Sequence, residues 1–234
     1  MNETAIFLVT HGSRDPRSWQ SLQDIVTVAR SQSHLRISGG CLEGQELALS
    51  QQLEAFASEV IQDGVSEIVI LPLFLLEGVH VSEDIPAEIA IAQSKLQKKL
   101  KLRVTAHLGT NPQISSLLSQ HFEQHETDGQ SSARIVMAHG SRRAGANQVV
   151  EDLANQSQAI AAYWGVEPKI ETQIENLLSQ GFSQINVLPY FLNEGGITEA
   201  IARKIEPYCD RAQIQQLPVP LSSEQIIDLA LKFI

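Results

Sequence analysis

Only two cysteines occur in 234 residues, Cys41 and Cys209, one in each half and neither in a CxxC pair. That is too few for a disulfide framework, a thiolate zinc site or an iron–sulfur cluster, and two packed or idle thiols in a reducing cytoplasm are expected. No apolar run approaches the roughly 20 residues that a membrane span needs. The opening MNETAIFLVTHG has no basic stretch and no small-residue cleavage site, so no signal peptide is expected. Positive charge is scarce: 17 Lys and Arg against 27 Asp and Glu leave a net charge of −10. Divided after Asp128, the halves carry nine basic and sixteen acidic residues, then eight and eleven, or −7 and −3. This balance argues against a nucleic-acid partner. It still permits a small anionic ligand held by a few local arginines. The chain also lacks GxGxxG after its first strand, GxxxxGK[ST] and GxSxG. Dinucleotide binding, P-loop chemistry and a serine-hydrolase elbow lose their support with them.

What is present is alternation. Apolar runs Thr4–Thr10, Leu35–Ser38, Glu67–Phe74 and Leu102–Ala106 read as strands. Between and after them Ser18–Gln32, Leu47–Gln62, Val81–Lys99 and Pro112–His125 carry helical spacing, such as Leu49, Leu53, Phe56 and Val60. Strand–helix alternation predicts a parallel sheet with helices on both faces. A polar stretch at Glu126–Ser132 marks a boundary, so domains are expected at 1–128 and 129–234. The second half reads as strand Arg134–Ala138, helix Gln148–Trp164, helix Glu171–Gln180, strand Gln184–Phe191, helix Thr198–Glu206, strand Gln213–Gln216 and helix Glu224–Ile234.

The halves repeat each other. FLVTHGSR at 7–14 returns as IVMAHGSR at 135–142, with His139 lying 128 residues after His11. GVSEIVILPLFLLEGVH returns as GFSQINVLPYFLNEGGI, each with its Gly eight residues before its Pro. Two motifs in the same order imply internal duplication. The expected class is therefore α/β, with two similar lobes that each hold a four-stranded parallel sheet flanked by helices. One difference stands out: His80 lies eight residues after Pro72, and Ile197 lies eight after Pro189.

Ligands of parallel α/β sheets bind outside the carboxyl ends of strands. His11 and His80 both follow strongly apolar strands and can share one crevice. Two imidazoles, a carboxylate and open positions suit a first-row divalent metal that must be handed on. Glu43, after the second strand, is the candidate carboxylate, as a third ligand or a base. Gly12 permits close backbone approach, and Ser13 can cap the following helix. Glu83 and Asp84 can cap the helix after His80. Arg14, Arg17, Arg142 and Arg143 can clamp carboxylates. His139 keeps the corner without a partner histidine and reads as structural or vestigial. His121 and His125 have i, i+4 spacing but lie away from the strand ends, where a solvated face is expected. A metallochaperone using the same histidines, or a hydrolase with His11 as general base, are the competing readings.

VTHGSRDPRS from Val9, with LPLFLLEGVHVSEDIP beginning 62 residues later, resembles the CbiX/SirB family of sirohydrochlorin chelatases. These lyases insert a divalent metal into a tetrapyrrole without ATP, in siroheme or cobalamin synthesis. The resemblance places the family's two signature histidines on His11 and His80 and extends over nearly the whole chain, because the second half repeats the pattern. It implies a pair of chelatase-like lobes facing across a cleft, fused here where short archaeal relatives are single lobes that dimerise. It further implies Co2+ or Fe2+ held by His11 and His80 as substrate, and no permanently bound cofactor. His11, His80 and Glu43 are the expected catalytic groups, and Ser13, Arg14 and Arg142 are expected to meet sirohydrochlorin. The departure at Ile197 implies one site per chain, on the N-terminal lobe. A cytoplasmic monomer without nucleic-acid or membrane partners is expected.

Overall fold

The computed structural model describes residues 4–96, 99–126 and 132–234. Of the polar stretch read as a linker, residues 127–131 lie outside the described residues. The first half forms β1 (Thr4–Gly12), α1 (Pro16–Gln32), β2 (Arg36–Glu43), α2 (Leu49–Gln62), β3 (Glu67–Pro72), α3 (Ile85–Leu96), β4 (Lys101–Val104) and α4 (Ile114–Gln124). The second forms β5 (Ala133–Ala138), α5 (Gln148–Gln156), β6 (Ile160–Tyr163), α6 (Ile170–Ser179), β7 (Gln184–Pro189), α7 (Gly196–Ile205), β8 (Gln213–Gln216) and α8 (Ser223–Ala230). Each half holds one parallel four-stranded sheet, ordered β2-β1-β3-β4 and β6-β5-β7-β8. Among the described residues no helix is long and apolar enough to cross a membrane.

The central strands are apolar on both faces because helices cover both. Ala5, Phe7 and Val9 of β1 join a core with Leu53 and Phe56 of α2 and Ile85 and Ile89 of α3. Ile6 and Leu8 alternate to the other face and are fully buried there. In the second half Ile135 and Met137 of β5 pack with Ile170 and Ile174 of α6 and Ile201 and Ile205 of α7.

Three sequence readings are corrected. Gln148–Trp164 is not one helix: α5 ends at Gln156, Gln158 turns at φ 54°, and Ile160–Tyr163 is strand β6. Its Ile-Ala-Ala-Tyr sequence suits a helix as well as a strand, and pairing with β5 from Ile135↔Ile160 to Ala138↔Tyr163 decides it. β2 runs on to Glu43, well past Ser38, because glycines at 39 and 40 fit beneath the side chains of Leu22, Val26 and Gln52. The compact units also differ from a division at 128. One takes Met1–Asn111 with Ser222–Ile234 and the other takes Pro112–Leu221. α8 packs on α1, and the Asn111 side-chain amide donates to the Leu229 carbonyl at 3.2 Å. α4 packs on α5. Each sheet is thus covered by the helix that ends the other half.

Candidate metal site

β1 pairs on both sides, with β2 and β3, so its end is fixed by two ladders. Thr10 is still buried, its Oγ1 3.2 Å from Cys41 Sγ, and the next residue, His11, emerges into solvent. Gly12 closes the strand opposite Glu43 at φ +77°. A Cβ at Gly12 would lie 2.1 Å from the Glu43 carbonyl oxygen, so only glycine lets the two strand ends stay together. This contact sets His11 and Glu43 side by side. β3 ends at Pro72, and the chain returns through a loop to a π-helical turn, His80–Asp84, that leads into α3.

The His11 Nδ1–H donates to the Gly12 carbonyl at 2.8 Å, and the His80 Nδ1–H donates to Asp84 Oδ2 at 2.7 Å. Both acceptors therefore fix the tautomers that leave the Nε2 lone pair available. The two Nε2 atoms face each other at 3.0 Å, with the rings edge to face at 89°. Two lone pairs at that distance require an electrophile between them, a proton or a metal ion. Metal–nitrogen bonds of about 2.1 Å meeting at roughly a right angle span the same separation. His11, Glu43 and His80 each offer a ligand atom within 4.8 Å of the others. Half-buried His80 and exposed His11 and Glu43 leave the remaining coordination positions open to a second molecule.

Other expected residues settle differently. Ser13 does not cap α1. Asp15 does, accepting from the Arg17 amide, while the Ser13 hydroxyl accepts from the Asp15 amide at 3.1 Å. Arg17 is committed to Asp15 and holds its carboxyl below the ordinary value, so it is not spare for a ligand. Arg14 is exposed in the loop after His11, and Arg142 is exposed in the corresponding loop of the second unit. His139 Nδ1–H donates to the Gly140 carbonyl at 3.1 Å. His121 donates through Nε2 to the Pro218 carbonyl and His125 through Nδ1 to the His121 carbonyl, so the pair serves the backbone. Burial first, then the neighbouring His125, pushes the His121 pKa down. Asp84 is not a helix cap but the partner of His80. The i, i+4 interval was the signal in the sequence that could have found it.

A family model, CbiX, matches the chain twice, over residues 5–125 and 133–227. The sirohydrochlorin cobaltochelatase of Priestia megaterium is 24% identical over 217 residues, which span 87% of this chain and 69% of that protein. The sirohydrochlorin ferrochelatase of the same organism is 22% identical over 219 residues, 89% of this chain and 80% of that protein. The structure of SirB from Bacillus subtilis with Fe3+ superimposes with a TM-score of 0.82 at 18% identity, covering 99% of this chain and 94% of that one. That likeness concerns the fold, two parallel-sheet units in one chain. The double match and the fold together identify the chain: it belongs to the CbiX family.

Proposed function

We propose that this chain inserts a divalent metal, Co2+ or Fe2+, into sirohydrochlorin without ATP. The observation that carries the reading is the pair of Nε2 atoms at 3.0 Å with the Glu43 carboxylate beside them. Family membership and relatives named sirohydrochlorin cobaltochelatase and ferrochelatase support it. Imidazole and carboxylate donors accept cobalt and ferrous iron alike, so the ligand set supports both metals.

Insertion exchanges one M2+ for two pyrrole N–H protons. His11, His80 and Glu43 hold the metal by one face and leave the other to the ring nitrogens. As the metal passes to the ring, the Nε2 lone pairs and the Glu43 carboxylate are released and become able to accept the two departing protons. No phosphate donor is needed, because the ring's four nitrogens bind the metal more firmly than three protein ligands do. Exposed Arg14, three residues after His11, is a guanidinium group suited to bidentate pairing with a carboxylate of the ring. Ser13 offers a hydroxyl beside Arg14.

The test is direct. The protein is mixed with sirohydrochlorin and Co2+ or Fe2+, and the visible spectrum of the macrocycle is followed. Insertion faster than the spontaneous rate is expected. Metal binding with no acceleration would sink the chelatase reading and leave a metal-binding protein.

A further inference from the structure

The helix after β3 is out of step with its counterpart after β7 by one residue. Up to the site the two units align at a constant interval of 117: Gly64 with Gly181, Pro72 with Pro189, Gly78 with Gly195. Beyond the site the interval is 116. Ile85 and Ile89 are buried in the first turns of α3, and Ile201 and Ile205 take the same places in α7. The residues around them agree as well: Asp84 and Ala200 are half-buried, as are Glu88 and Lys204, while Pro86-Ala87 and Ala202-Arg203 are exposed. The first unit therefore holds four residues between His80 and the core isoleucine, where the second holds three between Ile197 and Ile201. The extra residue coincides with the π turn His80–Asp84, closed by the Ile85 amide donating to the His80 carbonyl. α7 runs as an ordinary helix from Gly196.

The insertion has a chemical consequence. On a regular helix the side chain that meets residue i is i+4. In the second unit that place belongs to Ile201, which the core consumes. One added residue passes the core role to i+5, and the wider π turn returns that residue to the core. The i+4 place is then free for an acid. Asp84 takes it, with Oδ2 2.7 Å from His80 Nδ1. We propose that this insertion is what builds the metal site on the duplicated fold, and that Asp84 is a positioning residue. It holds the His80 ring so that Nε2 meets His11 Nε2, and it does not itself touch the metal.

The inference rests on the reading of His11 and His80 as metal ligands, and the experiment separates the two. Co2+ alone is titrated calorimetrically into the full chain, and the ligand-field bands of the bound ion are recorded. His80→Ala is expected to abolish site binding; if it binds Co2+ as the parent does, the ligand reading itself fails. Asp84→Ala is expected to weaken Co2+ on the order of 10- to 100-fold, the usual effect of removing a ligand's hydrogen-bond partner, and to shift the bands. Asp84→Asn, which keeps an acceptor, is expected to recover part of the loss. The Asp84 side chain is 47% exposed, so thermal stability is expected to stay unchanged. Deleting Ser82, an exposed residue of the turn, should restore the register of the second unit and lose Co2+ affinity as Asp84→Ala does. Parent-like Co2+ affinity in Asp84→Ala, with His80→Ala inactive, overturns the inference whether or not the deletion variant folds.

Discussion

Two strand ends in this chain carry the same four residues, His-Gly-Ser-Arg, and among the described residues only the first has around it a group of three side chains able to hold a metal. Both histidines follow a central parallel strand, and both donate Nδ1–H to the next residue's carbonyl. That hydrogen bond is therefore a property of the corner, not of the chemistry. The differences lie in what the neighbouring strands deliver. Counting from Thr10↔Cys41 and Ala138↔Tyr163, the place of Glu43 is taken by Gly165, whose amide donates to the His139 carbonyl at 2.7 Å. Ile197 stands for His80, and Ala200 for Asp84. The second corner thus lacks these groups together while it keeps the backbone geometry that presents its histidine. Exposed His139 stands without counterparts of Glu43, His80 and Asp84.

The largest expected effect breaks the pairing of the two histidines. His80→Ala is expected to lower the initial rate of Co2+ insertion into sirohydrochlorin by on the order of 100-fold or more, since it removes a ligand and a proton acceptor together. His139→Ala is expected to stay within about twofold, because among the described residues the one group able to hold a metal is His11, Glu43 and His80. Equal losses in the two variants would mean that both corners work, and that the comparison has been drawn between two active sites.

A second, smaller effect compares the glycines of the two corners. Gly12 and Gly140 both have positive φ, but they face different neighbours. A Cβ on Gly12 meets the Glu43 backbone oxygen at 2.1 Å, whereas on Gly140 it meets side chains, Tyr163 Cβ at 2.7 Å and Val166 Cγ2 at 2.8 Å. Tyr163 Cβ is also tied to its strand, but the overlap at Gly140 is smaller than the one at Gly12. Gly12→Ala is expected to cost about 2–3 kcal/mol in urea unfolding and Gly140→Ala about 1–2 kcal/mol. Because the first clash pushes on Glu43, Co2+ affinity should fall in Gly12→Ala and not in Gly140→Ala. A parent-like Co2+ titration of Gly12→Ala would show that Glu43 is not held by this contact.

Much of this was legible in the chain because the corner chemistry is local. A strand's apolar run, its terminal histidine and the repeated proline loop lie within a few residues of each other, and register does the rest. His11, Glu43 and His80 come together as their places at three strand ends imply. What was not legible depends on distant packing. β6 is a strand because β5 offers it an edge. α4 and α8 both carry apolar stripes, Ile114, Leu118 and Phe122 against Ile226, Ile227 and Leu229, so nothing local assigns either helix to its sheet. Asp84 looked like a cap because acids near a helix start usually are caps. Only the register of the buried isoleucines shows that the helix holds an extra residue there.

The smallest effect sharpens the comparison at the opposite ends of the same strands. Glu67 opens β3 and pairs across the sheet with Lys101, at 2.8 Å, and with Arg103, at 3.3 Å. Gln184 holds that place in the second unit and donates instead to Gln213 at 3.0 Å. One unit has an ion pair where the other has a neutral amide pair. The hydrogen bond from Lys101, with Arg103 adding to it, holds the Glu67 carboxyl below its ordinary value. A depressed carboxylate contributes stability that is fully present above its unfolded pKa and is lost as pH falls through the folded one. Lys101 is well exposed and Arg103 half-buried, so the contribution is at most about 1 kcal/mol. Glu67→Gln, which writes the second unit's chemistry into the first, should lower the urea midpoint at pH 7. The gap to the parent should close as pH falls from the ordinary glutamate range through the lower folded value of Glu67. Raised salt should shrink the same gap at pH 7, because the ion pair is screened and the amide pair is not. A gap that persists unchanged in acid, down to the onset of unfolding, would mean that shape, not charge, is what Glu67 contributes.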